Sequence, residues 1–490
     1  MLFNSAVFLF IFLPAVLLVY HGLRASGWPM LAKSWLILAS LYFYAYWKTE
    51  SLPLLLFSIV ANYLIGVAIG AYSKQGLGML TKLLLILGIG INVGLLGYFK
   101  YFGFLREITG SLLGLQFDPI ELVLPLAISF FTFQQIAYLV DCYRNEAREY
   151  QFINYCLFVS FFPQLIAGPI VHHRQMMPQF EATDRKGAVP ASDVMAGLFI
   201  FSIGLFKKVC IADSFAVIAD TGYTRDSLSL LEAWTTSLSY TFQLYYDFSG
   251  YSDMAIGGAL LFGIRLPLNF FSPYRAASIQ DFWRRWHITL SNWLRDYIFI
   301  PFGGNRSTLY LTCRNLFITF LIGGIWHGAG WTFIAWGALH GMAIVIHRLW
   351  QQWRRPLPNW LGWFLTFNFV NLAWVYFRAD DMATAHRVLG AMFSVSDIRV
   401  SGAFIYQLLA AHEGPLFAIL VTGLNTSIYW VLPIALACTV LARNSMELSG
   451  YRRGVINLGH PQVLMSALAF GLAVITILSG SPSVFLYFNF

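Results

Sequence analysis

The sequence predicts an all-α fold, a polytopic transmembrane helical bundle, and three observations carry that prediction. Hydrophobic residues make up 58% of the 490 positions and aromatic residues 17%. Charged residues make up 11%, against about 25% in a soluble domain, too few to clothe the surface of a soluble chain this long. Uncharged runs recur at lengths that cross about 30 Å of hydrocarbon, which takes about 20 apolar residues in a helix. The same numbers exclude intrinsic disorder, collagen and a secreted disulfide scaffold.

Taken in order, the charge-free stretches are Met1–Leu23, Ser51–Ser73, Leu83–Phe99, Leu122–Val140, Gln151–Val171, Leu357–Phe377, Gly414–Ala442 and Gly454–Phe490. The first lacks a basic leading region and a following small-residue cleavage site, and reads as a retained span. Ser34–Trp47 is shorter, with Lys33 and Lys48 at its ends able to snorkel. Asn315 to His347 holds only histidines as titratable groups, and Trp326-His327-Gly328-Ala329-Gly330 divides it into two helices. Between Val194 and Ile264 the runs are broken by Lys207, Lys208, Asp213 and Asp247, as in partial or tilted insertions. The expectation is one integral membrane domain over 1–490, with about 11–13 helices including re-entrant and interfacial segments.

Basic residues number 31 and acidic residues 23, a net charge of +8. They sit in short loops, where topology rather than nucleic acid accounts for them. Loops 21–33, 74–82 and 141–150 carry Arg24 and Lys33, Lys74 and Lys82, and Arg144 and Arg148, whereas loop 48–52 has only Lys48 and loop 100–121 has Lys100 and Arg106 with three acids. Alternation puts the N-terminus outside and Arg275–Arg306 in the cytoplasm. The five cysteines are scattered without a CxxC pair, which reads as packed thiols rather than a disulfide framework or metal site.

Three segments carry chemistry. From Ser278 the chain reads SIQDFWRRWHITLSNWLRDYIFIPFGGNR. Ser278 and Asp281 have capping-box spacing, which predicts a helix start. Ile279, Trp283, Trp286, Leu290, Trp293 and Tyr297 then recur on an apolar-aromatic face, and Gln280, Arg284, His287, Ser291 and Arg295 on a polar one. Such a helix is either a basic interfacial anchor or a surface whose Arg284/His287/Arg295 face lines an entrance for an anionic substrate. Upstream, QLYYDFSGYSD places Asp247 and Asp253 among aromatics at membrane depth. They read either as functional carboxylates or as partners of a nearby arginine that hold helices together.

Downstream, GGIWHGAG sets His327, beside Trp326, in an uncharged stretch. Lipid cannot satisfy its ring nitrogens, so it faces protein or a wet cavity, and its ordinary pKa suits proton removal from a hydroxyl. Gly324 and Gly328 flank it and permit close approach. Catalytic and structural readings balance at this point. His340 and His347 share a helix face as packing or pore residues, with no carboxylate or cysteine nearby to make a metal site. Phosphate-loop, G-x-S-x-G, H-E-x-x-H and H-x4-D motifs are absent, which weakens ATPase, serine hydrolase, zinc protease and soluble-faced acyltransferase readings.

At these residues the chain resembles the membrane-bound O-acyltransferase family, and within it the bacterial branch of alginate O-acetylases. The similar stretches are the start MLFNSAVFLFIFLP, then Gly97–Phe104, Leu124–Arg144, Phe161–Ile170, Gln243–Ala255, Phe282–Arg306, Arg314–Gly341 and Trp374–Ala379, and the ending FLYFNF. The signature core spans about 97–379, followed by C-terminal helices over 414–490. The resemblance implies a helical bundle enclosing a tunnel. It also implies an invariant histidine at the tunnel's narrow part, His327, and a second signature histidine, His287. Teichoic-acid D-alanylation members share the RWH and WHG elements. The motifs do not separate alginate from cellulose or peptidoglycan acetylation.

The implied activity is an O-acetyltransferase of the bacterial inner membrane, with its N-terminus periplasmic. It moves acetyl groups from cytoplasmic acetyl-CoA, a substrate rather than a bound cofactor, for O-acetylation of an exported polysaccharide such as alginate. His327 is the general base, with direct transfer and a histidine-borne intermediate both open. Arg284 and Arg295 are candidates for the donor's phosphates, and Asp247, Asp253 and Trp326 for further substrate contacts. A periplasmic SGNH-type acetyltransferase and polysaccharide export machinery are the implied partners. The rivals are a transporter or flippase for an acyl donor or glycan intermediate, against which no inverted repeat is evident, and a scaffold in which His327 is structural.

Overall fold

The computed structural model describes residues 1–115, 117, 122–147, 151–183, 188–306, 308–353, 355–410, 431–454, 456, 458–480 and 485–486. The regular structure of these residues is helical throughout. Seven helices are long and apolar enough to cross a membrane: Phe8–Ala25, Thr49–Lys74, Gly78–Leu113, Ala191–Thr224, Leu309–His327, Trp331–Trp353 and His460–Ser479. The chain is a multi-pass membrane protein. Helix is the form that satisfies every backbone amide within its own segment, as hydrocarbon requires.

Other expected spans are shorter or more polar than a plain crossing. Ser34–Trp47 and Leu122–Val140 correspond to helices Pro29–Ala45 and Ile128–Tyr143, and Leu357–Phe377 to Asn359–Arg378. Gln151–Val171 is not one span. It breaks into Phe152–Ser160 and Phe162–Leu165 at Phe161, where ψ turns to 109° just before Pro163. The freed amide of Phe162 donates instead to Ser40 Oγ at 3.1 Å, the side-chain rescue that lets a broken helix persist among other helices. Of Gly414–Ala442, residues 414–430 lie outside the described residues, as do Arg148 of loop 141–150 and most of the ending FLYFNF.

By contact the chain divides into two compact units, Met1–Leu198 with Ala255–Pro267, and Phe199–Met254 with Leu268–Phe490. The signature core expected over about 97–379 is thus shared between both. In the first unit, Phe3, Phe8, Phe12, Phe43 and Phe162 pack ring against ring. Asn62 and Asn92 link the helices Leu52–Lys74 and Gly78–Leu96 by a 2.6 Å hydrogen bond. Lys33 does not snorkel. It is 1% exposed, and its ammonium donates to Asn154 Oδ1 at 2.9 Å.

In the second unit, small residues let backbones touch, the usual device where lipid removes the hydrophobic drive for association. A Cβ added at Gly204 would lie 2.6 Å from the carbonyl oxygen of Gly250. One added at Gly324 would lie 2.7 Å from Gly337 Cα, which clamps Leu309–His327 against Trp331–Trp350. The turn between these two helices is the Gly328-Ala329-Gly330 break, with both glycines in extended backbone. The expected division of this region is therefore observed.

Candidate active site

His327 is the last residue of the helix Leu309–His327, placed there because the helix stops at Gly328. His287 reaches the same place by a different route. The capping residue is as expected, since Ser278 Oγ accepts from the Asp281 amide at 3.2 Å. The single amphipathic helix expected from Ser278 onward is not formed. Two short helices, Ile279–Trp283 and Ile288–Leu294, are separated by a break in which His287 has φ 42°.

A neighbouring loop causes the break. The Phe271 amide donates to the Arg285 carbonyl at 2.9 Å, and the Ile288 amide to the Asn269 carbonyl at 2.9 Å. These bonds replace the helical partners that the Arg284–His287 region would otherwise have used. A left-handed, non-glycine residue of this kind is sparsely populated and persists when its surroundings over-determine it.

Asn269 also determines the chemistry of His287. The Thr289 amide donates to Asn269 Oδ1 at 3.4 Å and the Thr289 hydroxyl donates at 2.9 Å, so that atom is the acceptor oxygen. His287 Nδ1, 3.1 Å away, must therefore carry its proton, which leaves the lone pair on Nε2. The ring is fully buried, and burial pushes its pKa down to about 3. His287 is held neutral, with Nε2 as an unprotonated acceptor.

The two histidines come together. Their ring centroids are 6.5 Å apart, with His287 at 0% and His327 at 4% exposure. Trp326 stands 4.9 Å from His327 and 6.5 Å from His287. Trp336 and Phe377 each lie 5.0 Å from His327, and Trp336 stacks on Trp374 at 5.7 Å. The result is an aromatic cage whose polar atoms are the nitrogens of its imidazole and indole rings. Such a place excludes water and strengthens any charge interaction made inside it.

Beside the cage is a cavity of about 400 Å³, lined in part by Gln280, Arg284, Ser291, Arg295, His347 and Arg348. Four residues of the expected polar face are here, but His287 is not among them, because the left-handed turn carries it into the cage. Arg295 also pairs with Asp296 at 2.7 Å. Arg348 escaped the sequence reading, although it is the first formal charge after the uncharged stretch that ends at His347. Trp283 links the two spaces, since it lines the cavity and its ring lies 5.9 Å from Trp336. A more apolar cavity of about 880 Å³ shares His347 and Gln351 with it.

Asp247 and Asp253 are in neither space. Lys208 Nζ is 2.8 Å from Asp247 and 2.7 Å from Asp213, and Lys207 Nζ is 2.7 Å from Asp253, which also accepts from Ser445 Oγ at 2.6 Å. Both aspartates are buried. This is the helix-holding arrangement of the two expected, with lysine in place of arginine as the partner. His340 and His347 part company along one helix, His340 fully buried against Trp336 and His347 at the cavity wall. Among the described residues no group of His, Cys, Asp and Glu is placed to hold a metal.

Comparison with known proteins assigns this architecture. The model of the membrane-bound O-acyltransferase family matches residues 122–379. The chain is 45% identical to the peptidoglycan O-acetyltransferase of Helicobacter pylori, over all of this chain and 98% of that protein. It is 39% identical to the probable alginate O-acetylase AlgI of Pseudomonas putida, over the whole of both. The teichoic acid D-alanyltransferase of Streptococcus thermophilus is 27% identical over 51% of this chain and 68% of that protein. These matches favour acyl transfer over the transporter and scaffold readings. The chain belongs to the membrane-bound O-acyltransferase family and is an acyltransferase.

Proposed function

We propose that this protein transfers acetyl groups from cytoplasmic acetyl-CoA across a bacterial inner membrane for O-acetylation of a cell-surface polysaccharide, with His327 as general base. The observation that carries this reading is the approach of two buried histidines in an aromatic cage beside a cavity with three arginines. Relatives over the whole chain are named for acetylation of peptidoglycan and of alginate, which supports acetyl as the group and a glycan as the final acceptor.

In the proposed step, His327 removes the proton from an acceptor hydroxyl. The oxygen attacks the thioester carbonyl, a C–O bond forms, and the C–S bond then breaks with the proton passing to the departing thiolate. Neutral His287 assists by accepting a hydrogen bond at Nε2. Proximity in a closed cage favours transfer over hydrolysis. Arg284, Arg295 and Arg348 attract the phosphates of the donor.

Purified protein in liposomes, given labelled acetyl-CoA and either alginate or peptidoglycan strands, tests the reading. Thioester consumption with label on an acceptor supports it, and a wild-type protein that leaves the thioester intact refutes it. The double variant Arg284→Gln/Arg295→Gln is expected to raise KM for the donor about tenfold with kcat little changed, since it removes ground-state attraction. A periplasmic SGNH-type acetyltransferase is proposed as the relay to polymer. Efficient polymer acetylation without it would remove the relay. Lys/Arg counts support an external N-terminus, which a cytoplasmic reporter active in loop 74–82 would bear out.

A further inference from the structure

His340 lies in the same cage and is not used by the mechanism above. Trp283 Nε1 is 3.2 Å from His340 Nδ1. An indole N–H can only donate, so His340 Nδ1 must be the acceptor and cannot carry a proton. The imidazole is therefore neutral, with its proton on Nε2. His340 is 0% exposed and Trp336 is 1% exposed. His340 Nε2 and Trp336 Nε1 are both buried, and neither has a hydrogen-bond partner among the described residues.

A buried donor left unmet costs about 1–3 kcal/mol. Here two such donors occur on rings whose centroids are 4.7 Å apart, and Trp336 is also 5.0 Å from His327. Both unmet atoms are N–H donors, and the lone pair on His340 Nδ1 is already taken by Trp283. The chemistry that satisfies them is an acceptor oxygen, best a charged one, brought in by whatever occupies the cage.

We infer that His340 Nε2–H and Trp336 Nε1–H form the oxyanion hole of the reaction, donating to the acyl carbonyl oxygen of the bound thioester. This rests on the acyl-transfer reading and assigns two further catalytic residues to it. When the acceptor oxygen, deprotonated at His327, bonds to the carbonyl carbon, the C=O electron pair moves onto oxygen, and the two N–H groups hold that negative charge. Collapse returns the pair, expels the CoA thiolate and releases the oxygen as an ester carbonyl. Trp283 acts one step away, as the positioning residue that keeps the His340 proton on Nε2.

The test compares variants in the liposome assay with labelled acetyl-CoA, alongside thermal unfolding in detergent. Trp336→Phe removes the N–H and keeps a ring; kcat is expected to fall by about 100-fold or more, with donor KM within about threefold. His340→Leu is expected to fall similarly. His340→Gln, whose amide can place an N–H near the Nε2 position, is expected to recover at least tenfold over His340→Asn, whose shorter amide reaches only the Nδ1 position. A packing role predicts no such split. If Trp336→Phe retains kcat within about threefold, or if the Gln and Asn variants are equally active, the oxyanion hole is refuted. If His340→Leu fails to fold, the Gln/Asn comparison decides alone. Wild-type protein that does not consume the thioester would refute the acyl-donor reading itself, and the inference with it.

Discussion

Replacing His327 with alanine is expected to lower acetyl transfer by about 100-fold to 10,000-fold, the range contributed by a positioned general base. The side chain ends a helix whose close pairing depends on Gly324 and Gly337 rather than on the imidazole. Expression, membrane insertion and the detergent melting curve should therefore stay near those of the wild type. Because the base acts on the transition state, kcat should carry the loss and donor KM should change little. The check is the rate of label transfer from acetyl-CoA with insertion measured on the same preparation. A well-inserted His327→Ala protein working at the wild-type rate would remove His327 from the mechanism.

Lys208→Met should strongly destabilise the second unit. Lys208 has 4% and Asp247 2% of its side chain exposed, and Lys208 is also bonded to Asp213 at 2.7 Å. Removing the cation strands a carboxylate where water cannot reach it, which costs about 3–5 kcal/mol for a broken buried pair. Asp247→Asn added to Lys208→Met should recover most of that loss, since replacing both members of a buried pair by neutral groups is often close to neutral. The asparagine oxygen can still accept from the Leu486 amide, 3.0 Å from Asp247 Oδ2 in the wild type. Thermal unfolding of the purified single and double variants reads this out. Equal melting temperatures for the wild type and Lys208→Met would show that the pair does not hold the helices.

The break at Gly328-Ala329-Gly330 was legible because glycines in an apolar run act on their own few residues, and the first helix stops and the second starts where that local signal says. The Ser278 cap was legible for the same reason. The break at His287 was not. The local pattern there is a sound amphipathic helix, and it is interrupted by hydrogen bonds to Asn269 and Phe271, which precede His287 by more than a dozen residues. The partners of Asp247 and Asp253 were equally hidden, since charge spacing along a chain does not say which lysine a folded helix will present.

Composition and run length alone determined that this protein is an α-helical membrane protein. Hydrocarbon offers no partner to a backbone amide, so each long apolar stretch must close its hydrogen bonds within itself, and that is a local requirement. His327 also announced itself, because an ionisable ring in an uncharged stretch needs protein or water around it, whereas His287, set among arginines, was singled out by the family resemblance. Tertiary structure decided what those rings can do. Asn269 directs the His287 proton to Nδ1, Trp283 directs the His340 proton to Nε2, and Trp336 brings His340 into the cage of His327. A tautomer depends on which atom stands opposite each ring nitrogen, and that atom belongs to a distant part of the chain.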